Sequence, residues 1–218
     1  MLLNSVHLAC VTMGDVATPF TMLVVCTANV CRSATAQAVL TDALQQPVPV
    51  DIGLESRGTR AMDGELFCAT ASRLTGVEFS DHRSRLIDRE VIDRADLILT
   101  MERAQRGFVV EQSLGARRRT FTLREAVQLT EWLDKGAPVP DGLVLPAPPP
   151  IPELPRDRLT WWVVEMDAGR GLAGVSGDER IDISDPHATR GVDHAAVTAQ
   201  VVADSEYLAR YMRALVTR

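Results

Sequence analysis

The sequence lacks the features that mark several large classes of protein. It has four cysteines in 218 residues, too few for a disulfide scaffold. No apolar run reaches the ~20 residues that a bilayer span requires. The net charge is −6, and the basic run Arg117–Arg119 has no interleaved aromatic residues, which argues against a nucleic-acid partner. These absences favour a soluble protein in a reducing, cytoplasmic setting.

The length and composition are typical of one globular domain. Hydrophobic residues make up 46% of the chain and charged residues 24%. Residues 1–21 lack the basic opening and long apolar core of a secretory signal, and we interpret them as a flexible tail before a domain that spans 22–218. Eight prolines between Gly136 and Pro155 predict a proline-rich insertion, at about 136–182.

The hydrophobic pattern alternates between strands and helices. Strands are predicted at 23–25, 50–54, 95–101 and 120–123, with a turn at 56–59. Helices are predicted at 34–44, 65–74, 88–92, 104–112, 124–133, 159–171 and 193–216. This alternation predicts a parallel sheet covered by helices on both faces, with a reactive crevice at the carboxyl ends of the strands. Cys26 lies at one such end.

The segment from Cys26 to Arg32 has the pattern C-x5-R between a buried strand and a helix. A loop this short can direct successive backbone N–H groups at one anion, and the following helix adds its positive N-terminus. Arg32 can donate two parallel bonds to phosphate oxygens. The pattern therefore predicts a phosphate-binding loop, whose intervening residues are Thr27, Ala28, Asn29, Val30 and Cys31.

The same electrostatic field favours the thiolate of Cys26, which can then attack phosphorus. Ser33 can donate its hydroxyl to that sulfur, and Asn29 tolerates the left-handed backbone that a tight loop needs. A cysteinyl-phosphate mechanism also requires a general acid and base. The candidate is Asp185, which Pro186 holds in an extended loop.

These residues resemble the low-molecular-weight protein-tyrosine-phosphatase family over most of the chain from Met22, apart from the proline-rich stretch. The resemblance implies a Rossmann-like three-layer sandwich with a four-stranded parallel sheet. It implies Cys26 as the nucleophile, Arg32 as the phosphate clamp and Asp185 as the acid and base. No metal and no cofactor are expected.

The resemblance also implies residues that support the loop. Asn29, Ser33, Ser56 and His82 match positions at which the family keeps an orienting hydrogen-bond network. Cys31 matches a second loop cysteine that is associated with a reversible disulfide to the nucleophile. A small buried thiol is an equally open interpretation of Cys31.

Three departures from the family pattern concern the cleft. Ala28 stands where glycine is usual. Met62 and His187 stand where the family usually places aromatic walls, so recognition of a phenyl ring is weakened. His187 can still stack against a ring, but its imidazole is polar.

The sequence thus predicts a hydrolase of phosphotyrosine in proteins. The resemblance implies, as a partner, a bacterial tyrosine kinase of polysaccharide export. Two alternatives remain open: an arsenate reductase that uses an external thiol, and a non-catalytic phosphate-binding module.

Overall fold

A computed structural model describes residues 18–45, 47–139, 143, 149–173 and 181–218. Most of the predicted tail and parts of the predicted insertion lie outside these residues. The first strand begins at Phe20, two residues before the predicted start of the domain.

Four parallel strands form one sheet in the order β2-β1-β3-β4. The strands are β1 (Phe20–Cys26), β2 (Ile52–Gly58), β3 (Leu97–Thr100) and β4 (Thr120–Thr122). The helices are α1 (Arg32–Leu44), α2 (Ala69–Thr75), α3 (Arg89–Arg94), α4 (Arg103–Gln112), α5 (Leu123–Asp134), α6 (Pro155–Gly169) and α7 (His194–Thr217), with a 3-10 helix at Leu114–Arg119. The predicted parallel sheet is confirmed. Among the described helices, none is long and apolar enough to cross a membrane.

Strand β1 is buried on both faces and separates two hydrophobic cores. Met22 and Val24 contribute to a core that helices α1, α5, α6 and α7 cover. Leu23 and Val25 contribute to the opposite core, against α3 and α4. Because alternate side chains of a strand point to opposite faces, this nearly continuous apolar run produces three layers. The three-layer sandwich is also confirmed.

The predicted turn at 56–59 is wrong in its first three residues. Strand β2 continues to Gly58 because Ser56 pairs with Val24 and Gly58 with Cys26. A Cβ on Gly58 would lie 2.6 Å from the Thr27 carbonyl oxygen, so glycine allows β2 to approach the loop closely. The polar residues that suggested a turn instead sit beside the loop that follows β1.

The predicted helix at 65–74 is shorter in the structure. Helix α2 begins at Ala69 and ends against Gly76, which has the left-handed φ of 69° expected of a helix stop. The N–H of Glu65 donates to Ser84 Oγ at 2.8 Å, and this bond holds residue 65 in an extended segment.

Part of the predicted insertion belongs to the hydrophobic core. Leu159, Trp162 and Met166 of α6 are fully buried against α5 and α7. The indole N–H of Trp162 donates to Thr130 Oγ at 3.0 Å. Helix α6 is therefore a component of the core, and the predicted proline-rich segment leads into it.

Candidate active site

The candidate site lies where the strand order changes direction. The chain passes from β1 to β2 on one side and later returns to β3 on the other side of β1. In parallel sheets the crevice for ligands forms at the carboxyl ends of two such strands. Cys26 ends β1, and Glu102 follows β3 by two residues.

The loop after β1 surrounds the sulfur of Cys26 with hydrogen-bonding groups. Ser33 Oγ lies 3.0 Å from Cys26 Sγ, and the backbone N–H of Asn29 donates to the sulfur at 3.2 Å. Asn29 has a φ of 57°, in the left-handed region that asparagine tolerates better than most residues. These contacts place polar donors beside a buried thiol.

Asn29 is the centre of the network that supports the loop. Its side-chain amide donates to Ser33 Oγ at 3.0 Å and to Ser56 Oγ at 2.8 Å. Its side-chain oxygen accepts from the N–H of Arg85 at 2.9 Å. The structure therefore brings Asn29, Ser33 and Ser56 together as the resemblance implied.

His82 contacts the loop from the other side. Its Nε2 lies 2.6 Å from the Asn29 carbonyl oxygen, so Nε2–H donates to that acceptor. Burial lowers the pKa of His82 below its ordinary value, and Arg83 and Arg85 act in the same direction. A neutral imidazole in this orientation supports the loop structurally.

Arg32 is 2% exposed, and acidic groups hold its guanidinium in place. It donates to Asp185 Oδ2 at 2.5 Å, to the carbonyl oxygen of Ile183 at 2.7 Å and to Glu102 Oε1. A buried arginine requires such partners because an unpaired charge away from water is costly. The guanidinium is thereby fixed at the first residue of α1, beside Cys26.

The segment that carries Asp185 is anchored to the ends of the strands. The N–H of Ile183 donates to the Met101 carbonyl oxygen at 2.8 Å, and Thr122 Oγ donates to the Ile181 carbonyl oxygen at 2.8 Å. Asp185 Oδ1 accepts from the N–H of His187 at 2.9 Å, which fixes the carboxylate relative to its own turn. The predicted acid therefore faces the predicted phosphate clamp.

These side chains enclose a cleft of about 190 Å³. Such a volume suits a phosphoryl group and part of its leaving group, since sites for whole small molecules usually exceed about 300 Å³. The residues that line it are Cys26, Ala28, Val30, Cys31, Arg32, Glu65, Asp185 and His187.

Met62 does not line the cleft, contrary to the prediction that it forms a wall. It is 69% exposed, on a turn whose backbone is bonded to Ser84. Glu65 occupies the cleft instead. Thr27 does not line the cleft either, and its hydroxyl accepts from the side-chain amide of Gln105 at 3.1 Å.

Sequence reasoning missed four residues near the site. Glu102 was detectable, because a polar residue directly after a parallel strand lies at the ligand-binding edge of the sheet. Glu65, Cys68 and His194 carry no comparable local signal. Cys68 precedes α2, and His194 begins α7. Each contacts a residue of the predicted site, since Cys68 lies against His187 and His194 lies against Cys31.

Comparisons with known proteins agree with this geometry. The profile described as "Low molecular weight phosphotyrosine protein phosphatase" matches residues 21–140. A Ralstonia solanacearum protein named probable low molecular weight protein-tyrosine-phosphatase EpsP is 36% identical over 86 residues, which are 39% of this chain and 58% of that protein. The chain thus spans less than two thirds of the EpsP length.

A Geobacillus stearothermophilus protein-arginine-phosphatase is 34% identical over 116 residues, or 52% of this chain and 75% of that protein. The solved structure of the YwlE arginine phosphatase from the same organism superposes with a TM-score of 0.57 at 22% identity. The superposition covers 90% of this chain and 94% of that one, and it establishes a shared fold. The profile match spans more than half of the residues, and the chain therefore belongs to the low molecular weight phosphotyrosine protein phosphatase family.

Proposed function

We propose that this protein hydrolyses phosphotyrosine in proteins through a cysteinyl-phosphate intermediate on Cys26. The observation that carries the proposal is the convergence of three predicted groups on one small cleft. Cys26, Arg32 and Asp185 all line it. A binding module would need the arginine and the loop N–H groups, but it would not need a nucleophile or an acid.

In the first step the Cys26 thiolate attacks phosphorus, and the bond from phosphorus to the leaving oxygen breaks. Asp185 in its protonated form donates a proton to that oxygen, which leaves as a neutral alcohol or phenol. The sulfur now carries the phosphoryl group. The loop N–H groups and Arg32 stabilise the charge on the equatorial oxygens.

In the second step Asp185, now a carboxylate, takes a proton from water as the water oxygen attacks phosphorus. The phosphorus–sulfur bond breaks, inorganic phosphate leaves and Cys26 returns to the thiolate. Ser33 Oγ, 3.0 Å from the sulfur, donates a hydrogen bond to the departing thiolate. Asp185 thus acts as acid and then as base.

Arg32 and Asp185 form an ion pair that a phosphoryl substrate would have to separate. When a phosphoryl group enters, its oxygens replace the Asp185 carboxylate as the acceptors of Arg32. The released carboxylate takes up a proton from the solvent and faces the leaving atom as an acid. Glu102 and the Ile183 carbonyl oxygen hold the remainder of the guanidinium during this exchange. Substrate binding would thereby position both the clamp and the acid.

A second candidate substrate is phosphoarginine in proteins. The Geobacillus relative is named a protein-arginine-phosphatase. Among the described residues that line the cleft there is no Phe, Tyr or Trp, whereas Glu65 and Asp185 supply two carboxylates. Carboxylates suit a guanidinium leaving group, because they pair with it through two parallel hydrogen bonds.

The decisive experiment compares phosphate release from p-nitrophenyl phosphate, a phosphotyrosine peptide and a phosphoarginine peptide. We expect release by the wild-type protein and none by Cys26→Ser. Faster phosphate release from the phosphotyrosine peptide supports the main proposal, and faster release from the phosphoarginine peptide supports the second candidate. No release from any substrate would refute both, and arsenate-dependent thiol oxidation in its place would indicate a reductase.

The natural partner follows from the same proposal. If phosphotyrosine is the substrate, the family resemblance points to a bacterial tyrosine kinase of polysaccharide export as its source. Dephosphorylation of such a kinase by the wild-type protein, with Cys26→Ser retaining the phosphorylated kinase in a stable complex, would support this assignment. A wild-type protein that leaves the kinase phosphorylated would contradict the assignment.

A further inference from the structure

Four side chains with metal-binding atoms meet at one edge of the cleft. Cys31, Cys68, His187 and His194 each place one sulfur or ring nitrogen within 4.8 Å of the others. Cys31 Sγ lies 3.4 Å from His194 Nε2, and Cys68 Sγ lies 3.5 Å from His187 Nε2 and 3.7 Å from His194 Nε2. The proposed hydrolysis uses none of these four sulfur and nitrogen atoms.

Three of the six distances among these atoms are those of a tetrahedral zinc site, and none of the six exceeds 4.8 Å. Zinc binds sulfur at about 2.3 Å and imidazole nitrogen at about 2.0–2.1 Å, so the ligands of a tetrahedral ion lie about 3.3–3.8 Å apart. The three measured separations fall within this interval. Two sulfurs with two nitrogens is also one of the established ligand sets of structural zinc.

The four ligands come from four separate segments of the chain. Cys31 precedes α1, Cys68 precedes α2, and His194 is the first residue of α7. His187 lies in the loop two residues after Asp185. Both cysteines are buried, and neither forms a disulfide. An ion here would join the phosphate-binding loop to the loop that carries the acid.

We propose that Cys31, Cys68, His187 and His194 form a zinc site that fixes the loop of Asp185 against the phosphate-binding loop. Binding of Zn²⁺ displaces one proton from each thiol, and both protons pass to the solvent or buffer. The two thiolates balance the charge of the ion, and the two imidazoles bind as neutral ligands. No electron is transferred.

Zinc at this position gives Cys31 a role different from the one that the family resemblance implied. A thiolate bound to zinc is not available for a disulfide with Cys26. A metal also accounts for the two imidazole nitrogens that face the two buried sulfurs, which otherwise pack in a small apolar cluster with Ala71, Val30 and Phe67. The rings of His187 and His194 are also in contact with each other, with centroids 4.8 Å apart and an interplanar angle of 72°.

The first test measures the metal content and the Co²⁺ spectrum of the full-length wild-type protein. We expect one zinc per chain after purification without chelator. After removal of zinc and addition of Co²⁺, we expect the intense visible bands of tetrahedral cobalt and a thiolate-to-cobalt charge-transfer band. The spectrum requires no substitution, so it tests the site even if a variant fails to fold.

The variants separate this site from the nucleophile. Cys68→Ser and His194→Ala should bind zinc at least about 100-fold more weakly, since even changes outside the ligand set often cost 10–100-fold. Cys26→Ser should abolish phosphate release and keep one zinc per chain. Cys26→Ser is also the matched control for Cys68→Ser, because it is the same chemical change at a buried cysteine that is not one of the four ligands.

Three results would overturn the proposal. They are less than 0.1 zinc per chain with no tetrahedral Co²⁺ spectrum, loss of the zinc in Cys26→Ser, or a Cys31–Cys68 disulfide in a protein that binds no metal after reduction. Because zinc is measured directly, its absence leaves the phosphatase proposal standing. Conversely, a protein that binds zinc but releases no phosphate would refute the phosphatase proposal and leave the zinc proposal standing.

Discussion

The Asp185 carboxylate lies 2.5 Å from the Arg32 guanidinium, although 153 positions separate the two residues in the sequence. The pair couples the proposed acid to the proposed phosphate clamp. Neither group can serve a phosphoryl substrate fully until the pair separates. The first prediction follows from this coupling.

We expect Asp185→Asn to lower kcat by about 10²–10⁴-fold for substrates whose leaving group needs a proton, because the amide cannot donate one as an acid does. The loss should be smaller for p-nitrophenyl phosphate, whose leaving group is stable as an anion. Steady-state kinetics on both substrates measure the difference. Asp182→Asn, the same change in the same segment, is the control, and an equal loss there would contradict a specific role for Asp185.

A second prediction concerns the left-handed backbone at Asn29. We expect Asn29→Ala to lower kcat/KM by about 100-fold and the free energy of unfolding by about 2–4 kcal/mol, because it removes three buried hydrogen bonds and adds backbone strain. Asn29→Gly loses the same bonds without the strain. It should therefore be about 1 kcal/mol more stable than the alanine variant in urea unfolding. Equal stability of the two variants would show that the φ of 57° contributes nothing.

A third prediction concerns pH. The pKa of His82 is lowered in the folded protein, mainly by burial, whereas in the unfolded chain it is close to 6.5. Below that pH the unfolded chain binds the proton first, so the free energy of unfolding should fall as the pH decreases toward the folded pKa. A single group contributes at most about 1.4 kcal/mol per pH unit.

Urea unfolding between about pH 8 and pH 5 measures this dependence. His82→Asn keeps a side-chain donor for the Asn29 carbonyl oxygen and does not titrate. The variant should therefore show a flatter profile below about pH 6.5 than the wild-type protein. A profile as steep as that of the wild type would assign the dependence to other groups.

A fourth prediction concerns the fully buried carboxylate of Glu125. It pairs with Arg106 at 2.8 Å and with Arg170 at 3.3 Å, and so connects α5 with α4 and with the end of α6. We expect Glu125→Gln to lower the free energy of unfolding by about 3 kcal/mol, because the loss of this carboxylate charge reduces the compensation of two partly buried guanidinium groups.

The matched control is Glu90→Gln. Glu90 forms an ion pair with Arg94, but its side chain is 82% exposed. Exposed pairs contribute about 0–1 kcal/mol. Comparable losses in the two variants, measured by urea unfolding, would show that burial does not govern the contribution of Glu125.

The sequence alone was sufficient to predict the loop between β1 and α1 and the helix that follows it. The apolar run of β1, the C-x5-R spacing and the helix formers after Ser33 are all local, so their geometry follows from backbone chemistry over about a dozen residues. The alternation of strands and helices similarly predicted the parallel sheet. The resemblance added Asp185, Ser56 and His82, which have no distinctive local pattern.

Local patterns failed where a distant segment decided the outcome. Ser56 and Arg57 have turn-like composition, yet pairing with β1 extends β2 through them. Met62 was predicted in the cleft, but the bond from Ser84 holds its turn at the surface and brings Glu65 inward. Propensity is weak compared with the hydrogen bonds and burial that tertiary contacts supply.

The sequence by itself determined the class of fold and predicted the nucleophile that we propose and its loop, because strand and helix periodicity and short-range spacing are encoded along the chain. Only the tertiary structure decided which side chains converge on that loop. Glu102 reaches Arg32 through the position of β3 next to β1, and the loop after Ile183 brings His187 to Cys68. Contacts across such separations depend on the strand order and the anchoring of loops, neither of which leaves a local pattern.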